Sequence, residues 1–287
     1  MDYILGDNPF FGVNHRVGSK ALATKDERFE KATEVIIASL NNGFSGFMLS
    51  SHSEGRDLIE QVTDRIIDTN LKLKLALVIP YPHTINDLVA EHGYFRSLAQ
   101  LRNTSGPGLI FDFSRLLFMG KSALRRSFIS SYIAAEIKNF ENRSVVVDAI
   151  CLHNIVTDLF LGLRRIDLLE EFIECCQLLG VKPVLISQNP VAAMSLNTEI
   201  DHIICFTYNS LGYMVNPGLE IVKKSIVANQ DNIHKKLWAM QILASGNLSS
   251  EQALKDPLLN HFDGILYATT QSARITSFVN QIEDYLV

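Results

Sequence analysis

The sequence predicts a single α/β domain, a closed (β/α)8 barrel of parallel strands with helices between them. Eight short apolar runs recur along the 287 residues, and nearly every run ends on a cluster of polar residues. Polar groups at one end of successive buried strands are typical of the active-site face of such a barrel, which needs about 250 residues. One domain over residues 1–287 is therefore expected. The runs are Tyr3–Leu5, Gly46–Leu49, Leu75–Ile79, Val145–Leu152, Val184–Ile186, Ile203–Phe206, Leu237–Ala244 and Gly264–Ala268.

Helical patterns separate these runs. Thr24 and Glu27 have the spacing of a capping box, and apolar residues then recur at helical spacing until Gly43. Similar patterns cover residues 58–67, 168–179 before Gly180, a short segment after Ser249, and 275–285. Regular alternation of strand and helix indicates a parallel sheet. Eight runs, with no G-x-G-x-x-G turn after the first, favour a closed TIM barrel over an open doubly wound sheet.

Two intervals depart from this repeat. Residues 86–140 separate strands three and four by more than one helix and contain the turn signal Gly106-Pro107-Gly108. We expect a helical insertion or elaborated loop near the barrel mouth. Only about fifteen residues separate strands five and six, which leaves room for a short helix after Pro190.

Composition excludes several classes of protein. A formal net charge of −5, 47% hydrophobic residues and 20% charged residues are typical of a soluble globular protein without a nucleic-acid surface. No run reaches the roughly twenty apolar residues of a membrane span, and no signal-like segment begins the chain. The cysteines lack C-x-x-C spacing, which indicates core residues in a reducing compartment; they are Cys151, Cys175, Cys176 and Cys205. We predict a cytoplasmic protein with a small-molecule substrate and leave its oligomeric state open.

The strand ends disfavour two barrel chemistries. A Schiff-base enzyme needs a desolvated lysine at a strand's carboxyl end, whereas Lys72, Lys74 and Lys182 lie at or before strand starts. A glycosidase needs two carboxylic acids across the site. Only Asp7 lies directly at a strand end, so neither reaction is favoured.

The strongest catalytic candidate is His153, which closes an apolar run of eight residues. An imidazole there could polarise a carbonyl oxygen or act as a general acid–base near neutral pH. The alternative is a histidine that only anchors a loop. His52, His83 and Tyr81, which follow strands two and three, are further catalytic candidates.

Other polar residues at the strand ends are candidates for binding. Those expected to orient the substrate are Asn8, His15, Asn154, Gln188, Asn189, Tyr208 and Asn209. The loops after strands seven and eight often form a phosphate site in barrels, because backbone N–H groups converge there. The candidates for binding a phosphate or a cofactor are Gly246, Asn247, Thr269 and Thr270. A threonine before the last helix could equally be its N-cap.

A metal site is a weaker alternative. His15, His52, His83 and His153 follow strands one to four, and neutral imidazole is a common metal ligand. No H-x-H or H-E-x-x-H pair is present. We therefore assign no residue as a metal ligand, while a divalent metal remains an open alternative.

Three segments resemble the aldo/keto reductase barrel superfamily: Asn42–Phe44 before strand two, Val147–His153 in strand four, and Gly264–Ser272 at the end of the barrel. The resemblance implies a TIM barrel, carbonyl reduction with NADPH, His153 as the group that polarises the carbonyl, and the closing segment as the holder of cofactor phosphate. The opening Gly6–His15 is similar to that of uncharacterised bacterial barrel proteins.

The chain departs from this family at its other catalytic positions. The family uses an aspartate and a tyrosine after strand two and a lysine after strand three. Here strand two ends at Ser50-Ser51-His52 and strand three at Tyr81-Pro82-His83. The first hypothesis is a divergent reductase-like oxidoreductase for a small polar, carbonyl or sugar-like metabolite, phosphorylated or not. The alternatives are a metal-dependent lyase or isomerase and a non-catalytic ligand-binding barrel.

Overall fold

The computed structural model describes residues 1–11, 24–80 and 120–286. Eight parallel strands follow each other around a closed barrel, and the first pairs with the last. The predicted fold class is confirmed. The strands are β1 Asp2–Gly6, β2 Gly46–Ser50, β3 Leu73–Ile79, β4 Val145–Leu152, β5 Lys182–Ser187, β6 His202–Thr207, β7 Lys235–Met240 and β8 Gly264–Tyr267.

Helices lie between the strands and cover the barrel. They are α1 Lys25–Asn41, α2 Ser53–Ile66, α3 Ser122–Phe140, α4 Asn154–Gly162, α5 Ile166–Leu178, α6 Pro190–Met194, α7 Leu219–Ala228, α8 Ser250–Leu254 and α9 Ser272–Tyr285. Thr24 and Ser249 form capping boxes with Glu27 and Gln252, as their spacing predicts. No helix in the described ranges is both long and apolar enough to cross a membrane.

The expected elaboration at 86–140 is described only in part. Its last stretch is α3, the crossover helix between β3 and β4. The expected insertion before it falls on residues outside the described ranges. The short helix predicted after Pro190 is present as α6.

Side chains that alternate along the strands form two separate apolar layers. One set points into the barrel, where it includes Ile4, Met48, Cys151, Cys205 and Trp238. The opposite set packs outward against the helices and forms the larger core. The alternation decides which residue at each strand end can reach the mouth of the barrel.

A buried ion pair joins two neighbouring helices of the outer layer. Arg125 of α3 contacts both carboxylate oxygens of Glu171 of α5, at 2.7 and 2.8 Å. Although burial alone would raise the pKa of Glu171, hydrogen bonds from Arg125 and Ser122 lower it overall. Both charges are therefore retained in the interior, where loss of one partner would leave the other uncompensated.

Inside the barrel, Trp238 of β7 lies against the backbone of β8. A Cβ atom on Gly264 would lie 2.5 Å from Cδ1 and 2.6 Å from Nε1 of the indole. Only glycine leaves room for the ring at this position.

At the start of β6, His202 is 2% exposed and lies beside the buried Lys235. Its Nδ1 is 2.8 Å from the carbonyl oxygen of Ile200. Burial lowers the pKa of His202 below its usual 6.5, and the charge of Lys235 adds to this effect.

We expect the pH dependence of stability to report on His202. Because the unfolded chain binds a proton near pH 6.5 and the folded imidazole does so only at lower pH, stability is lost as pH falls below 6.5. The slope contributed is at most about 1.4 kcal/mol per pH unit. Urea unfolding of wild type and His202→Asn at about pH 7.5 and pH 5.5 measures it. Equal pH dependence in the two proteins would contradict this assignment.

A second prediction concerns the contact between Gly264 and Trp238. Gly264→Ala should lower the free energy of unfolding by about 1–3 kcal/mol, because the new methyl group overlaps the indole. Gly162→Ala is the matched control, since a Cβ there meets nothing within 4 Å. Chemical denaturation should show a loss for the first variant and none for the second.

Candidate functional site

The candidate site lies at the carboxyl ends of the strands. The inward-facing series of the barrel continues there to Ser50, His153, Gln188, Thr207 and Met240. Neighbouring strands lie about 4.8 Å apart, so these side chains converge on one opening. The predicted location of the site is consistent with this geometry.

His153 is held at the junction of β4 and α4. Its backbone N–H donates to the carbonyl oxygen of Ile79, at 2.7 Å, and its Nδ1 accepts from the backbone N–H of Ile155, at 3.2 Å. Since Nδ1 accepts a hydrogen bond, the neutral ring carries its proton on Nε2. The half-buried imidazole can therefore donate from Nε2, as a group that polarises a carbonyl must do.

His52 has the same local role at the start of α2, but its ring packs differently. Its Nδ1 accepts from the N–H of Gly55 and caps α2, while its ring meets Phe11 edge-on, with centroids 4.5 Å apart. Nearby, the buried carboxylate of Asp7 accepts from the backbone N–H of Ser50, at 2.8 Å. These contacts fix the rim formed by β1 and β2.

Asp158 of α4 organises the end of β5. One carboxylate oxygen accepts from the hydroxyl of Ser187, at 2.6 Å, and the other from the backbone N–H of Gln188, at 2.9 Å. The Ser187 hydroxyl in turn accepts from the backbone of Asn189, whose side chain caps α6. Gln188 is therefore placed at the mouth by a fixed backbone, while Asn189 has a structural role.

A buried polar atom at the mouth has no hydrogen-bond partner within the described ranges. It is Oγ1 of Thr207, at the end of β6. Buried polar groups are normally paired, so an unpaired hydroxyl is suited to contact a bound ligand.

Tyr208 lies away from the mouth, contrary to the sequence-based expectation. Thr207 points inward, so the next side chain points outward. Tyr208 is fully buried there, and its hydroxyl donates to Asp256, at 2.8 Å. Burial and this carboxylate raise the pKa of Tyr208. Asn209 is also buried and binds both the N–H and the carbonyl oxygen of Tyr213, so it holds a turn.

The predicted phosphate-binding residues lie at two loops. Gly246, Asn247 and Thr270 are exposed, whereas Thr269 is buried and accepts from the backbone N–H of Gln271. Helix α9 has no side-chain cap and no acidic residue in its first turn. Its N-terminal N–H groups are thus suited to an anion, and the exposed Arg274 lies in the same turn.

The remaining candidates are described only in part. Asn8 is exposed and Asn154, the first residue of α4, is half-buried. His15, Tyr81 and His83 lie outside the described residues. Within the described ranges, no three His, Cys, Asp or Glu side chains converge as a metal site.

Sequence reasoning missed Asp158 and Thr207. Asp158 lies in a helix, five residues after His153, and no local pattern links it to Ser187. Thr207 could have been found from the alternation of β6, since it follows the inward-facing Cys205 by two residues.

The fold is similar to that of two solved structures. A candidate aldo-keto reductase from Pseudomonas aeruginosa superimposes with a TM-score of 0.60 and 12% identity, over 99% of this chain and 90% of that one. The aldo-keto reductase AKR11C1 from Bacillus halodurans gives a TM-score of 0.54 and 10% identity, over 90% and 84% of the two chains. No protein-family model and no curated protein matches the sequence. The likeness establishes the fold.

Replacement of Asp158 tests the support of Gln188. Asp158→Asn should lower the free energy of unfolding by about 1–3 kcal/mol, because the amide nitrogen would face a donor in place of an acceptor oxygen. Urea unfolding measures the loss. The double variant Asp158→Asn/Ser187→Ala should lose less than the sum of the single variants, since the two side chains share one hydrogen bond. Strict additivity would contradict this coupling.

Proposed function

We propose that this chain is a barrel enzyme that acts on the carbonyl group of a small polar metabolite, as a divergent reductase-like oxidoreductase. The observation that carries the proposal is the hydrogen bond accepted by Nδ1 of His153. The N–H of Ile155 occupies Nδ1, at 3.2 Å, and leaves the proton on Nε2. A neutral imidazole that donates from Nε2 favours negative charge on a carbonyl oxygen as it develops.

The surrounding groups suit a polar substrate. Gln188 and Thr207 belong to the same inward-facing series, and the Thr207 hydroxyl has no partner in the described part of the chain. Hydroxyl groups of a small sugar-like molecule could pair with them. Asn8 and Asn154 are further candidates at the rim, and Tyr81 is the candidate acid for the proton that must reach the oxygen.

The residues around α9 fit a phosphorylated ligand. The uncapped helix start, the exposed Thr270 and Arg274 provide backbone N–H groups and a positive charge in one turn. A reduced nicotinamide dinucleotide, with its phosphates at this helix start, would supply the hydride for carbonyl reduction. The fold likeness to two aldo-keto reductases supports this choice over the lyase and isomerase alternatives.

Substitution of His153 tests the proposed role. His153→Asn keeps an oxygen that can cap α4 but removes the Nε2 donor. We expect kcat/KM for small aldehydes and ketones to fall by at least about a hundredfold, as when one donor to a developing oxyanion is removed. The loss of NADPH absorbance measures the rate. His234→Asn, at a half-buried histidine at the opposite end of the barrel, is the matched control and should retain full activity.

The outcomes separate the competing functions. Full activity of His153→Asn would remove the histidine from the mechanism. Substrate conversion that requires an added divalent metal and no NADPH would favour a lyase or isomerase. Saturable metabolite binding without turnover under either condition would favour a non-catalytic barrel.

A further inference from the structure

The opposite, amino-terminal end of the barrel contains a cavity of about 180 Å³. Small residues at inward-facing positions create it, namely Gly46, Ala76 and Ala149, where barrels usually place bulky branched side chains. Ile4 and Trp238 form the apolar part of its wall. The volume equals that of about six water molecules.

The only tryptophan of the chain marks this cavity as unusual. Trp238 lines the cavity and is 3% exposed, and its Nε1 has no hydrogen-bond partner among the described residues. The close contact with Gly264 keeps this edge of the indole within the barrel interior. A buried N–H without an acceptor carries a free-energy cost that a bound acceptor would remove.

Charges of both signs surround the same cavity. Asp148 and Lys182 neutralise each other across 2.8 Å. Asp2 and Lys74 also line the cavity, and no ion pair is formed by either of them within the described ranges. The cavity thus offers one uncompensated carboxylate and one uncompensated ammonium group, and one of its lining side chains carries a buried indole N–H. Lys74 is exposed, so the cavity is reached from the base of the barrel.

We propose that this cavity binds a small zwitterion of the α-amino acid class. Its carboxylate is the acceptor for Lys74 and for the indole N–H, and its ammonium group pairs with Asp2. The size agrees, since a molecule such as alanine has about six non-hydrogen atoms, comparable with the cavity's water content. The site is independent of the reaction proposed for the mouth.

The single tryptophan allows binding to be observed directly. Titration of the full chain with glycine and with L-alanine, at constant ionic strength, should shift the indole ¹H–¹⁵N resonance and the fluorescence saturably. Acetate and methylammonium each satisfy only one of the two charges and should bind at least about tenfold more weakly.

Variants at the base test the contacts. Lys74→Gln and Asp2→Asn should each raise the dissociation constant about tenfold, because each removes one charge-assisted hydrogen bond. Lys236→Gln is the matched control, since Lys236 is an exposed lysine at the same end that lines a neighbouring cavity instead. The dissociation constant of the Lys236→Gln variant for L-alanine should equal that of the wild type. Far-UV circular dichroism verifies that each variant is folded.

Three results would overturn the proposal. The absence of a saturable shift with either amino acid would mean that the cavity holds water only. Acetate affinity equal to that of L-alanine would indicate a simple anion site. Equal losses in Lys74→Gln and Lys236→Gln would indicate that general electrostatic attraction, rather than this cavity, accounts for binding.

Discussion

Closure of the eight-stranded ladder is the constraint on which the rest of the structure depends. Because every strand is hydrogen-bonded on both sides, its side chains must alternate between the barrel interior and the helical layer. This alternation separates the two apolar clusters, selects Thr207 over Tyr208 for the mouth, and turns Trp238 inward at the base. A shift of one residue in any strand would exchange these roles.

The strands and helix starts could be predicted from the sequence because their signals are local. Apolar runs predict buried strands, and the capping pairs at Thr24 and Ser249 specify where two helices begin. The location of the candidate site followed from the same runs.

Roles that depend on distant partners could not be predicted. The contact of Tyr208 with Asp256 spans 48 residues, and that of Asp158 with Ser187 spans 29. The sequence alone does not distinguish adjacent polar residues such as Tyr208 and Asn209 from residues of the mouth. Both are buried, and only the structure shows what they bind.

Polar groups at the two ends of the barrel differ in how completely they are paired. At the mouth, backbone N–H groups donate to Nδ1 of His52, to Nδ1 of His153 and to the carboxylate of Asp158, which fixes their orientation. At the base, charged side chains surround a gap that small side chains leave open. Rigid orientation suits chemistry, where a donor must meet one atom, whereas an uncompensated pair of charges suits recognition. The same fold can thus present a candidate catalytic surface and a candidate binding cavity at opposite ends.

The short helix α4 has a consequence for how the mouth can change during evolution. Its nine residues begin directly after His153 and include Asp158, which holds the backbone of Gln188. His153 and Gln188, which follow adjacent strands, are therefore held at a fixed spacing by one rigid helix. Insertions elsewhere around the rim would alter the shape of the opening but not this span. Under the proposed function, the ligands of related chains should differ more in their distal groups than in the part that bridges His153 and Gln188.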